Sequence, residues 1–416
     1  MRKVGKWMMF LLLLFCSILP CRGVENRIDR RNSNVAVIPT VAKPEPVAVI
    51  KKVIKDWRKN LRPDPIEKIS LTWAYQPVKF TVMSSNINVL APIWLYVEGD
   101  PLTGAPVLHD IKEMGKKVDF KEYVRQAHQK KVKVWATIVS FTPIITDFLI
   151  HMPVYREAFL EKLASRAQEW KLDGVNFDFE NMNPADKNDF TGFIRETRDV
   201  LKKEGCTISV DVTIKEDYGD TSLSNWYQCY DHAGLAQVVD YMAIMAYDEH
   251  KNHTGAGAVA SLPWVENKLQ GILEDVPSNK ILLGLSFYTY DFRSTMVDGD
   301  PEQLVPTWSM ENKGVVTTLF SQIEKLLRDG VYTDMQKKQI HVKKWLIKNQ
   351  WDEYQQNYYV KFIDQNDLVH EIWFDETESL MRKTALAKTY HLAGVAVWQQ
   401  AFGEPTLWKA IDQSTR

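Results

Sequence analysis

In the segment Asp173-Gly174-Val175-Asn176-Phe177-Asp178-Phe179-Glu180, polar and apolar side chains alternate from position 175 onward. An extended chain sends successive side chains to opposite faces. Asn176, Asp178 and Glu180 therefore share one face, about 6.6 Å apart, and Val175, Phe177 and Phe179 share the other. A parallel strand covered on both sides ordinarily reads apolar throughout. An amide and two carboxyls in a row, whose desolvation costs several kcal/mol, therefore point to acid–base chemistry; the alternative is a satisfied polar network. Each carboxyl makes the other harder to ionise, and Glu180, at the carboxyl end of the strand, can hold a proton near neutral pH.

A second acidic residue has a similar setting. Asp211 alternates with Ser209 and Thr213 along Ser209-Val210-Asp211-Val212-Thr213, which aims it inward, where it reaches substrate, supports the Asp178 network or serves structure alone. Trp94 and Tyr96 read as a sugar platform or as core packing. His250 lacks a histidine partner at metal-ligand spacing, so neither a metal nor any other cofactor is expected.

These residues need a frame that holds them. Short apolar, β-branched runs occur at 69–74, 88–96, 132–140, 174–180, 207–213, 238–247, 281–288 and 393–398. Between them lie amphipathic stretches at 120–130, 155–171, 185–204, 226–236, 262–274 and 376–391. Eight strands with interleaved helices predict an α/β fold, the closed (β/α)8 TIM barrel, whose carboxyl-terminal rim is where catalytic residues gather. Between strands seven and eight the chain is too long for one helix. Residues 293–372 are expected to form a small α+β insertion, with a strand pair at 358–363 and 369–374 and a turn at 364–367, rising as one wall of a groove.

Residues 1–23 read as a secretory signal, with Arg2, Lys3 and Lys6 ahead of an apolar run from Trp7 to Leu19 that is too short to span a bilayer comfortably. Secretion, or retention at the cell envelope by this segment, is expected, with no membrane span in the mature chain. Residues 24–65, rich in charge, Val and Pro, read as a linker, leaving 66–416 for the barrel. Without the signal, 48 Lys+Arg face 53 Asp+Glu, a balance that argues against a nucleic-acid partner. Cys206 and Cys229 pair in an oxidising compartment or stay as buried thiols. The 14 Trp in 416 residues suit stacking on sugars or a core of large side chains.

The strand at 174–180 resembles the D-G-x-D-x-D-x-E signature of glycoside hydrolase family 18, the chitinase-like family, and the resemblance extends over roughly residues 66–410. It implies a retaining, substrate-assisted reaction on N-acetylglucosamine glycans. Glu180 would protonate the glycosidic oxygen, and Asp178 would orient and charge-stabilise the 2-acetamido group. Met245-Ala246-Tyr247-Asp248 is similar to the family's Met-x-Tyr-Asp, which makes Tyr247 the holder of the acetamido carbonyl and Met245 and Asp248 sugar-lining residues. Trp398 is similar to the Trp that floors the cleavage subsite. Asn176 departs from the signature by replacing its middle Asp, so a shared negative charge is missing and Asp178 is expected to ionise more easily than is usual in the family. The Ser-x-Gly-Gly of chitinase strand three is replaced by Trp135-Ala136-Thr137-Ile138-Val139-Ser140. Both departures, with Tyr247-Asp248-Glu249-His250 and Ile372-Trp373-Phe374-Asp375, resemble the bacterial peptidoglycan- and spore-cortex-lytic branch. Two alternatives stand beside that branch: a barrel that binds glycans without cutting them, and a chitinase or endo-β-N-acetylglucosaminidase.

Overall fold

The computed structural model describes residues 68–75, 79–81, 84, 86–214, 228–251, 254–307 and 315–415. The expected signal at 1–23 and linker at 24–65 lie outside the described residues. Strands β1 (Ile69–Ala74), β2 (Val89–Gly99), β3 (Pro106–Asp110), β4 (Lys133–Ser140), β5 (Gly174–Phe179), β6 (Thr207–Thr213), β7 (Tyr241–Met245) and β8 (Ile281–Ser286) follow in order. After a second sheet the chain returns as β16 (Gly394–Trp398).

The parallel strands pair in the ring β1-β2-β4-β5-β6-β7-β8-β16, and β16 returns to β1. Two glycines let neighbouring backbones approach: a Cβ on Gly394 would lie 1.8 Å from the Ile69 carbonyl oxygen, and one on Gly284 would lie 2.2 Å from that of Ile244. Closure leaves no free edge in the ring. β3 was not foreseen; it folds back antiparallel on β2.

Helices Phe120–Gln129, Pro153–Trp170, Lys187–Leu201, His232–Val238, Leu262–Leu273 and Thr377–Thr389 cover the outside. Their starts are specified locally. The Asp119 and Asp231 side chains accept from the amides of Glu122 and Gly234, satisfying orphan donors of the first turn. The helices Pro143–His151, Phe320–Asp329 and Pro405–Thr415 were not foreseen.

The apolar interior falls into two layers. Val175, Phe177, Val134 and Ile138 face the helices, whereas Ile69, Leu71, Trp73, Val89, Trp135, Leu282 and Ala396 fill the barrel itself. Above that plug the inner wall turns polar at Thr137, Asn176, Asp178, Ser209, Asp211 and Thr213, all buried.

Between β8 and β16 lie β9 (Tyr288–Val297), β10 (Asp300–Pro306), β11 (Val315–Leu319), β12 (Val331–Thr333), β13 (Gln339–Asp352), β14 (Asn357–Asp364) and β15 (Leu368–Phe374). They form an antiparallel sheet in the order β10-β9-β15-β14-β13-β12, with β11 also on β9. Only Phe287 separates β8 from β9. The tip of the β13–β14 hairpin rests on the loop after β7: Ala258 donates to the Gln355 side chain (2.6 Å) and Leu262 to its carbonyl (3.1 Å).

A buried ionic cluster holds this sheet. Arg293 bridges Asp291 (2.8 Å) and Asp334 (2.9 Å), Tyr332 donates to Asp291 (2.6 Å), and His370 sits between Asp291 (2.8 Å) and Asp364 (3.5 Å). Burial alone would depress the His370 imidazole, but Asp291 and Asp364 more than offset it, so its pKa is raised. Stabilisation from a group raised on folding is complete below its ordinary value, about 6.5, and is lost as pH climbs through the folded value. His370→Gln is therefore expected to destabilise the sheet by about 3 kcal/mol at pH 6 and by clearly less at pH 9. Hydrogen exchange of the β14 and β15 amides reads this; an equal loss at both pH values would contradict it.

Candidate functional site

Which way β5 faces is decided by its phenylalanines. Phe177 and Phe179 are fully buried against Phe190 and Phe193 of the helix Lys187–Leu201, with ring centroids 5.8 to 6.3 Å apart. Asn176, Asp178 and Glu180 must then enter the barrel. Asn176 and Asp178 are buried, whereas Glu180, one residue past the strand, is half-buried at the rim and its amide donates to the Ser140 carbonyl (2.9 Å).

A side-chain hydrogen bond joins Asp178 to Glu180. Burial pushes the Asp178 carboxyl up to about 6, and the Glu180 bond only partly opposes it. Removal from water thus lifts Asp178 above an ordinary aspartate even with the neutral Asn176 two residues away. Asn176 is itself saturated. Its Nδ2 donates to Asp211 Oδ2 (2.7 Å) and its Oδ1 accepts from the Ser209 hydroxyl (2.6 Å). Asp211 also accepts from the Trp73 indole (3.1 Å).

At the end of β7, Met245 is buried and Tyr247 half-buried. Burial and the carboxylates of Asp211, Asp178, Glu180 and Asp248 hold the Tyr247 phenol well above its usual range. It stays a neutral O–H donor beside the acids. Trp398 ends β16 half-buried, its ring 5.9 Å from that of Trp73. Carboxyls, phenol and indole thus converge at one end of the barrel interior.

Asp248 adopts a left-handed backbone, φ 68°, uncommon outside glycine. Its carboxylate accepts from the hydroxyls of Tyr288 (2.5 Å) and Tyr290 (2.9 Å), both on β9. Sequence reasoning missed these two tyrosines and Trp73. The alternation of Tyr288 and Tyr290 on one face was a signal for the former, but nothing local joined them to Asp248.

The reading of Trp94 as a sugar platform is corrected. It is fully buried on the helix side, 4.9 to 5.9 Å from the rings of Tyr123, Phe120 and Trp170. Val89 and Ala91 fill the barrel, so alternation along β2 turns Leu90 and Trp94 toward the helices. Tyr96 is buried as well. His250 bonds the Ala258 carbonyl (2.9 Å). Among the described residues, metal-type donors come together at Asp147, His151 and Asp186, within 4.8 Å of one another, where His151 also pairs with Asp189. Cys206 and Cys229 are buried thiols not joined in a disulfide, pushed up to about 11 and about 12 by desolvation.

The sequence model of the family described as Glycosyl hydrolases family 18 matches residues 52–402. The uncharacterized glycosylase YvbX of Bacillus subtilis (strain 168) is 25% identical over 70% of this chain and 77% of its own. The cortical fragment-lytic enzyme of the same organism is 23% identical over 65% of this chain and 56% of its own. Among solved structures, a chitinase from Chromobacterium violaceum ATCC 12472 superposes with a TM-score of 0.67 at 18% identity, covering 84% of this chain and 99% of that one. The Bacillus cereus spore cortex-lytic enzyme SleL gives 0.66 at 18% identity, over 83% and 74%. These structural likenesses bear on the fold.

The raised Asp178 value has a sign that can be checked. Between the ordinary aspartate value of about 3.9 and about 6, the folded state binds the extra proton, so stability falls as pH rises through that window. Asp178→Asn is expected to be more stable than wild type at pH 7.5, by roughly 2 kcal/mol, and to lose that advantage at pH 4. Urea denaturation at the two pH values measures it; a variant no more stable at pH 7.5 than at pH 4, relative to wild type, would refute the assignment.

Proposed function

Because the chain belongs to the glycosyl hydrolases of family 18, and is thereby a glycoside hydrolase, we propose that it cleaves β-linked N-acetylglucosamine glycans of the bacterial wall, peptidoglycan or its fragments, after export directed by residues 1–23. Cleavage proceeds with retention, the substrate's own 2-acetamido group serving as the nucleophile. The observation that carries this reading is the hydrogen-bonded Asp178–Glu180 pair, one carboxyl buried in the barrel and the other at its rim.

Each residue then has a task that suits its surroundings. Glu180 gives its proton to the glycosidic oxygen as the C1–O bond breaks, and the acetamido carbonyl oxygen closes onto C1. Asp178, ionised above about 6, stabilises the positive charge that develops on the acetamido group. The neutral Tyr247 hydroxyl donates to the acetamido oxygen, while Met245, Asp248 and Trp398 line and floor the sugar site. Water then attacks C1, Glu180 takes its proton, and the acetamido group is released. Asn176 and Asp211 belong to the support of Asp178.

The choice of wall glycan is supported by relatives named for lysis of cortical fragments. Purified protein should release new reducing ends from peptidoglycan, and Glu180→Gln should lower that rate by about 10²–10⁴-fold. A de-N-acetylated glycan should remain uncut. Mass spectrometry of products from peptidoglycan and chitotetraose, side by side, tests the substrate. Cleavage of chitotetraose alone would move the assignment to a chitinase, and tight binding without turnover, or undiminished release by Glu180→Gln, would defeat it.

A further inference from the structure

One of the two residues that support Asp178 is itself an acid. Asp211 is 2% exposed on β6. The pairing of β5 with β6 ends at Phe177 opposite Val210, so the next residues along, Asp178 and Asp211, are neighbours on the inner wall, one strand spacing apart, about 4.8 Å. Each keeps one carboxyl oxygen, Oδ1, buried without a hydrogen-bond partner. The interior thus carries two adjacent acids with unused acceptors, and Asn176 stands neutral where the family signature has a third.

We propose that Asp211 is a positioning residue for Asp178: it holds, on the neighbouring strand, the carboxyl and the proton that β5 lacks at position 176, and thereby lets Asp178 carry the single negative charge of the pair. The groups that face it are Asp178 from β5, Tyr247 from the end of β7, Tyr230 ahead of the helix His232–Val238, and the neutral partners Asn176 and Trp73. All are acidic, phenolic or neutral, so two full charges side by side would go uncompensated. Burial and the Asp178 charge both push the Asp211 carboxyl well above the usual range. With Asp211 protonated, its Oδ2 still accepts from Asn176 and Trp73, and the amide of Asn176 stays turned toward Ser209.

The inference rests on the hydrolase reading for its kinetic readout, the acid limb of kcat/KM, which reports ionisation in the free enzyme. Asp211→Asn mimics the protonated acid and should keep the wild-type acid limb to within about half a pH unit. A shift downward by a whole unit would mean that Asp211 had been charged, and would overturn the proposal. Asn176→Asp adds an acid beside two others and should raise the limb by about a unit or more. Combining it with Asp211→Asn reverses the polarity of the 176–211 bond and should bring the limb back to the wild-type position. If Asp211 served the fold alone, the second substitution would rescue nothing. Should wild type hydrolyse no glycan, the hydrolase reading fails by itself, and carbon-13 titration of the Asp178 carboxyl in the same four proteins still decides the pairing.

Discussion

A carboxylate on the inner wall of a closed barrel cannot keep its hydration shell, and that constraint shapes everything around β5. The ring of eight strands has no open edge through which water or a lysine can reach Asp178. Its charge must be managed by hydrogen bonds and by the protonation of neighbours. The bond to Glu180, the saturated Asn176 and the high-lying Asp211 are three responses to one problem. The barrel thus holds its acids in a state that water would not sustain, which is what acid–base chemistry near neutral pH requires.

The rest of the architecture keeps that arrangement rigid. Trp73 and Trp135 fill the lower barrel, so the polar layer rests on a dry floor instead of a water column. The Trp73 indole is also a donor to Asp211, linking floor and acid layer. Outside, the phenylalanines of β5 lock into the helix Lys187–Leu201 and prevent the strand from turning its carboxyls outward. On the rim, two tyrosines at the root of the second sheet fasten Asp248 in a left-handed backbone conformation.

What could be read in advance follows from how local each signal is. The face of Asp178 and Glu180 was legible because three polar and three apolar residues alternate without interruption. Trp94 was not, because a strand tryptophan suits a sugar platform and a core equally well, and only the rings of Phe120, Tyr123 and Trp170, distant in sequence, decide between them. The helix Pro143–His151 escaped notice because it leaves Ile144 and Phe148 exposed and so lacks a clean apolar stripe. Contacts such as Tyr288 with Asp248 and Trp73 with Asp211 span 40 and 138 residues. They arise only once the ring closes, and no window of sequence contains both partners.

The second sheet grows out of the barrel with a single residue, Phe287, between β8 and β9, and that amide is pinned to the Trp398 carbonyl (2.8 Å). With its far hairpin seated on the loop after β7, the sheet has no slack segment at its root about which to swing. A glycan at the rim would therefore meet, in this sheet, a wall that stays in place and not a lid that closes.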